Sequence, residues 1–405
     1  MLDLLKVAAQ MQGMSEQLAH EAKLLAHKLD LAESLFQEAI AHQVLRRQQR
    51  QEWGDRLAFN CAEPVEPLES QHAIAPITSP HTVVATDGSQ IAPSRHEIAY
   101  CYLINVGRVA LHYGSSIYPV LDNRPEVYYK PEDLYGARQW GIQTEEWMTL
   151  KRNVAEAIAL AELACEQKSL RPLFGPVLAM SDGSLIHWSL EMLPPEARAK
   201  ILPDILAAWE RLRQDRIPMV GYISAPRSTE ATNFLRLQAC PFPQPDCNTH
   251  CMSTNNTNGA TNQSLDRAPC SVLQPLRDAT LWHRFLQPGE VSPLWRSSAR
   301  ILQEYGEHTV YFCYLHVGTE IARVEMPEWT ALDPELRFQA LSLILAQVQK
   351  GYGYPVVLAE AHNQAVVTGS DRYRFFAILE QHLVKSGLKN VATSYKEARK
   401  RSSIA

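Results

Sequence analysis

The sequence predicts an α/β fold: a mixed sheet flanked by helices, with a helical N-terminal arm. Three observations carry this reading. From His81 onward, short apolar runs of β type alternate with stretches of helical period, the pattern of a sheet covered by helices. Residues 101–107 and 313–318 read alike as strand, tight turn, strand, which implies antiparallel pairing in part of the sheet. Residues 1–55 contain no proline and are rich in Ala, Leu, Gln and Glu, a helix-forming composition.

The arm comes first. Leu18, Ala22, Leu25, Leu29, Ala32 and Phe36 alternate spacings of four and three, a heptad-like stripe. It fits either a helix packed on its own domain or a coiled-coil arm for dimerisation or partner docking, and it ends in Arg46, Arg47 and Arg50. Residues 56–80 read as a Pro-rich linker, with four prolines in 61–80 and no helical period. A domain follows over 81–395. Its expected strands are 81–86, the hairpin within 98–113, 175–181, 218–224, the hairpin 310–326 and 355–361; its expected helices are 143–168, 195–214, 333–349 and 372–386.

The chain has 405 residues, 46% of them hydrophobic, 20% charged and only 18 glycine, which excludes a mostly disordered or collagen-like protein. Its formal charge of −5 gives no bulk support to nucleic-acid binding, so such a partner has to be argued from local sites. No stretch reaches the roughly 18 apolar residues of a membrane span, and Asp3 interrupts the N-terminal segment. A cytoplasmic protein with no membrane association is the expectation.

The most informative motif occurs twice. Thr86-Asp87-Gly88-Ser89-Gln90-Ile91 follows the apolar run Thr82–Ala85, and Ser181-Asp182-Gly183-Ser184-Leu185-Ile186 follows 176–180. In both, an Asp is expected at the end of a buried strand, beside a glycine that lets the chain turn sharply. Two such carboxylates can converge at one sheet edge. Mg²⁺ and Mn²⁺ prefer carboxylate and water oxygens, and a pair of them about 3.5 to 4 Å apart can clamp the attacking and leaving oxygens of a phosphodiester. Near the C-terminus, His362 follows the apolar run 355–361 and is flanked by Glu360 and Asn363. There it is suited to bind metal, donate to a phosphate oxygen or orient a water.

With these motifs in order, TDGSQI, SDGSLI, GYIS (221–224) and YPVVLAEAH (354–362), the chain resembles the NurA family of DNA end-processing nucleases over roughly residues 80–385. The resemblance implies an RNase H-like core, a dimer, and manganese-dependent cleavage of DNA with 5′-end resection in double-strand break repair. It also implies partnership with a HerA-type hexameric ATPase. The family's acidic residues fall on Asp87 and Asp182, and its C-terminal tyrosine and histidine on Tyr354 and His362. The family also uses a glutamate on the helix before the second Asp. Glu156 and Glu162 both lie on that helix, six residues apart and on nearly opposite faces; the long connection to the next strand favours Glu156. The expected Mn²⁺ or Mg²⁺ ligands are therefore Asp87, Glu156, Asp182 and His362.

Residues 238–275 break the α/β alternation and read as an irregular insertion. Cys240, Cys247, Cys251 and Cys270, with His250 among them, offer soft ligands to Zn²⁺ or an iron–sulfur cluster, although the spacing lacks paired Cys-x2-Cys knuckles. Arg95, Arg227, Arg372 and Arg374, the tail residues 396–401, and Trp282, Trp295 and Trp329 are the candidates for phosphate contact and base stacking. Two other functions fit less of the pattern. A non-catalytic dimeric docking subunit for a DNA-translocating ATPase would use the N-terminal stripe. An actin-like or sugar-kinase-like ATPase would use the Asp-Gly-Ser turns as phosphate loops, but the chain has no glycine-rich adenosine segment.

Overall fold

In the computed structural model, residues 3–94, 97–170, 175–252 and 268–387 are described. The expectations placed on Arg95, on 253–267 of the insertion and on the tail 396–401 lie outside them. In chain order the principal elements are α1 (Leu4–Trp53), β1 (His81–Ile91), β2 (Tyr102–Tyr113), β3 (Val120–Tyr128), α2 (Thr144–Leu170), β4 (Val177–Asp182), α3 (Leu202–Gln214) and β5 (Met219–Ile223). They continue with α4 (Thr232–Ala239), α5 (Asp278–Phe285), β6 (Val310–His316), β7 (Ile321–Pro327), α6 (Pro334–Lys350), α7 (Val356–Ala365) and α8 (Gly369–Lys385). Among the described residues, no helix is long and apolar enough to cross a membrane.

The chain divides into two compact units, Met1–Ala75 with Ile223–Ala331, and Pro76–Tyr222 with Leu332–Ala405. In the second unit the strand order is β3-β2-β1-β4-β5. β2 pairs antiparallel with both β1 and β3, while β1, β4 and β5 run parallel. This mixed sheet, order 3-2-1-4-5 with only the second strand reversed, is the RNase H-like arrangement. Helix α2 supplies the crossover between the antiparallel and parallel parts. Its apolar face, with Met148 and Ala159, packs under Tyr102, Ile104 and Val106 of β2.

The first unit is centred on aromatic packing. Phe36 of α1 meets Trp282 edge-on at 5.7 Å and Phe285 at 4.7 Å, with Phe234, Trp295 and Tyr314 in the same core. Residues 63–64 and 72–73 of the Pro-rich stretch form two-residue strands, paired with Trp295–Arg296 and Glu290–Val291. The β6–β7 hairpin forms as expected. Inside it, Arg323 is sealed from solvent between Glu230 at 2.7 Å and Glu325 at 2.8 Å.

Three local expectations are corrected. Residues 102–113 are one continuous strand, not a hairpin, and Gly107 sits in its middle. Asp87 does not end its strand: β1 continues four residues further, to Ile91. The run 355–361 is not a strand but opens α7, started by Pro355. Trp282 and Trp295 are core residues, which removes them as base-stacking candidates. Trp329 is half-buried and donates Nε1–H to His308 at 3.2 Å.

Candidate active site

The second unit brings Asp87, Glu156, Asp182, Tyr354 and His362 to one rim of its sheet. Thr86 of β1 aligns with Ser181 of β4 in the parallel ladder, so Asp87 and Asp182 occupy equivalent positions on adjacent strands, about 4.8 Å apart in ladder spacing. Side chains alternate along β1. Thr86 and Gly88 face α2, where Thr86 Oγ1 donates to the Glu156 carbonyl at 3.0 Å; Asp87 faces the other side, towards α7.

Gly88 has a role different from the turn expected of it. It lies within β1, and a Cβ there would come within 2.3 Å of Glu156 Oε1 and 2.7 Å of Arg152 Cγ. The missing side chain is the space through which the glutamate reaches the strand. Gly183 does make a turn, at φ +86°, and its N–H donates to the Tyr222 carbonyl at 2.9 Å. Gly107, opposite Asp87 in the ladder, performs on the other face what Gly88 performs on this one. A Cβ at Gly107 would strike Ala365 N at 2.5 Å and Ala361 O at 2.6 Å. Helix α7 therefore rests directly on β2, and Asn105 Nδ2 (2.8 Å) and Ser89 Oγ both donate to the Ala365 carbonyl to hold it there.

That seat delivers the histidine. His362 Nδ1 lies 2.8 Å from Asp87 Oδ2, while the Gly88 N–H donates to Asp87 Oδ1 at 2.8 Å. Tyr354, in the turn before α7, donates its hydroxyl to Asp182 and packs edge-on to Tyr222 at 5.8 Å. Loss of water around the Asp182 carboxyl raises its pKa, the Tyr354 hydroxyl opposes the shift, and the neighbouring Asp87 charge adds to it. Glu156 is pushed up to about 7, chiefly by desolvation; Arg152 opposes this, and Asp87 and Asp182 reinforce it. Arg152 Nε stands 3.1 Å from Glu156 Oε1, yet the pair is misaligned, and that oxygen is buried without a hydrogen bond. Glu162 is elsewhere, 2.5 Å from Arg124.

Asp87 stands close enough to raise the pKa of both Glu156 and Asp182, and with the buried Glu156 Oε1 left without a hydrogen bond the three carboxylates offer all-oxygen chemistry suited to a hard divalent cation. As they stand, no three His, Cys, Asp or Glu side chains among the described residues are grouped closely enough to hold a metal ion. Sequence reasoning missed Arg152, Gly107, Asn105 and Ser89. Only Ser89 carried a signal, as part of the repeated motif. Of the cationic candidates, Arg372 pairs with Glu97 at 3.3 Å and lies over Phe376, while Arg227 and Arg374 are exposed.

A mixed 3-2-1-4-5 sheet with aspartates on its two central strands and a helix-borne glutamate beside them defines an RNase H-like protein. Its family follows from the sequence: residues 81–367 match the NurA domain model, and the chain belongs to the NurA family. The NurA nuclease of Sulfolobus solfataricus superposes with a TM-score of 0.51 at 11% identity, covering 95% of this chain and 98% of that one. A second NurA crystal structure gives 0.38 at 10% identity, over 79% of this chain and 92% of that one. The human endonuclease V catalytic domain gives 0.30 at 13%, over 86% and 98%. No curated protein matches in sequence.

Proposed function

We propose that this chain is a divalent-metal-dependent DNA nuclease that hydrolyses phosphodiester bonds. The observation that carries the reading is the convergence of Asp87, Glu156 and Asp182 at one sheet rim, close enough that the Asp87 charge raises the pKa of the other two. Asp87, Glu156 and Asp182 would hold one or two Mn²⁺ or Mg²⁺ ions, whose chemistry is to offset phosphate charge and lower the pKa of water. Asp87 orients His362 through the Nδ1 contact, leaving the other ring nitrogen to exchange a proton with a phosphate oxygen or the attacking water. Tyr354 fixes the direction of the Asp182 carboxylate by donating to it. On the family likeness, the reading extends to 5′-end resection in double-strand break repair, a homodimer, and work alongside a HerA-type hexameric ATPase.

Incubating the chain alone with end-labelled single- and double-stranded DNA in Mn²⁺, in Mg²⁺ or in excess chelator tests the reading. We expect nucleotide release that needs the metal. Asp87→Ala should abolish it while leaving the circular dichroism spectrum and melting temperature near those of the parent. Full activity in that variant, or in chelator, would overturn the mechanism. An inactive parent chain that still stimulates a DNA-translocating ATPase would support the docking-subunit reading instead, for which the exposed Leu4, Leu5, Met11 and Met14 of α1 offer a surface.

A further inference from the structure

The cysteine segment is left over by the nuclease reading. It lies wholly in the other unit, and two observations there point to a ligand. The first is convergence. Cys240, Cys247, Cys251 and Cys270, spread over 31 residues of sequence, all line one small solvent-open cavity, beside His250. All four are free thiols. The chain places them through a sequence of short turns: Cys240 caps α4, Cys247 immediately precedes the five-residue π-helical turn Asn248–Met252 and Cys251 lies within it, and Cys270 sits in the 3-10 turn Pro269–Leu273. A spacing of i, i+4 puts Cys247 and Cys251 on one side of their turn, close enough for a thiol–thiol hydrogen bond. As bare thiolates, the four would repel one another.

The second observation is a buried cation without a counter-charge. Arg236 of α4 is 3% exposed and lines the same cavity. It lies over the Phe59 ring at 3.7 Å, and its Nη1 makes a long contact of 3.4 Å with Asn233. Its Nη2 donates to Cys270 Sγ at 3.6 Å, and its Nε is buried with no acceptor. Among the described residues, no carboxylate stands within ion-pair distance of it. A guanidinium in that position carries an uncompensated desolvation cost unless an anion answers it. The atom it addresses is sulfur.

We propose that Cys240, Cys247, Cys251 and Cys270 bind a structural Zn²⁺ ion as thiolates, with Arg236 as the outer-shell cation. Four thiolates and Zn²⁺ carry a net charge of −2, which answers the buried guanidinium; the metal in turn offsets the mutual repulsion of the sulfurs. The Arg236 donor on Cys270 is the kind of outer contact that orients a metal-bound thiolate. Four sulfurs and no water match the closed coordination of structural rather than catalytic zinc. The sulfurs close on the ion as it binds, releasing their protons to solvent and tying together the short turns that carry them.

The test uses the full chain, purified without chelator or histidine tag. Elemental analysis should find about one zinc per chain, and after exchange with Co²⁺ the visible spectrum should show thiolate-to-cobalt charge transfer with the intense bands of tetrahedral coordination. In Cys247→Ser/Cys251→Ser the zinc content should fall at least about fivefold, whereas Cys165→Ser, which does not line the cavity, should keep it. A metal-free parent chain without the cobalt signature overturns the proposal, as does iron with iron–sulfur absorption in place of zinc. Full zinc content in the double variant also overturns it. Elemental content and cobalt spectra are read on the parent chain, so a poorly folding variant leaves the test intact. None of these readouts depends on DNA cleavage.

Discussion

Glu156 shows how much one residue's position depends on its neighbours' size. It reaches the rim only because position 88 has no side chain, and it sits there with a carboxyl pushed up to about 7 by desolvation and by Asp87 and Asp182. A folded pKa above the unfolded value of 4.5 means that the native state binds more protons between the two. Stability from this group is therefore present at low pH and lost as pH rises through about 7. In chelator, Glu156→Gln should gain stability relative to the parent as pH is raised from 5 to 8, by urea denaturation; parallel profiles would show that the group is unperturbed. The two Asp-Gly motifs were legible because an apolar run and an acidic turn signal coincide at each. Helical geometry alone separated Glu156 from Glu162, but which of them faced the strand depended on Gly88, whose meaning as a gap was hidden behind its meaning as a turn.

At the scale of elements, the decisive contact is α7 on β2. Gly107 accepts the helix backbone against the strand, and Asn105 and Ser89 tie its C-terminal carbonyl. Gly107→Ala forces the helix outward. The expected cost is about 1–3 kcal/mol of stability and, because the His362–Asp87 contact shifts with the helix, about a 10²-fold fall in cleavage rate. Chemical denaturation and single-turnover cleavage measure the two separately; an unchanged rate would detach α7 from the chemistry. This contact was not legible. Val-Gly in an apolar run reads as a turn, and 355–361 is too short and too evenly apolar for periodicity to separate strand from helix. Long periodic segments such as α2 and α6 left no such ambiguity: they begin within one residue of their expected starts, at Thr144 and Pro334.

For the molecule as a whole, α1 divides in use along its length. Ala32, Phe36 and Ala39 are in the aromatic core of the first unit, whereas Leu18 and Leu25 of the same stripe stay 52% and 38% exposed. The heptad pattern could not show that, among the described residues, only its second half is buried against the rest of its unit. Phe36→Ala should destabilise that unit by about 3–5 kcal/mol, while Leu18→Ser should stay within about 0.5 kcal/mol. Thermal denaturation of the isolated chain distinguishes them. A large loss from the Leu18 variant would show that the exposed half is already engaged, as in a self-associated state.

The strand order has a consequence of its own. After β1 the backbone departs towards β2 and β3, and after β4 it departs the opposite way, towards β5; a crevice between those two exits is a product of topology before any side chain is chosen. Most of the wording can therefore change while the opening stays. That is how a chain 11% identical to the archaeal enzyme can share its architecture.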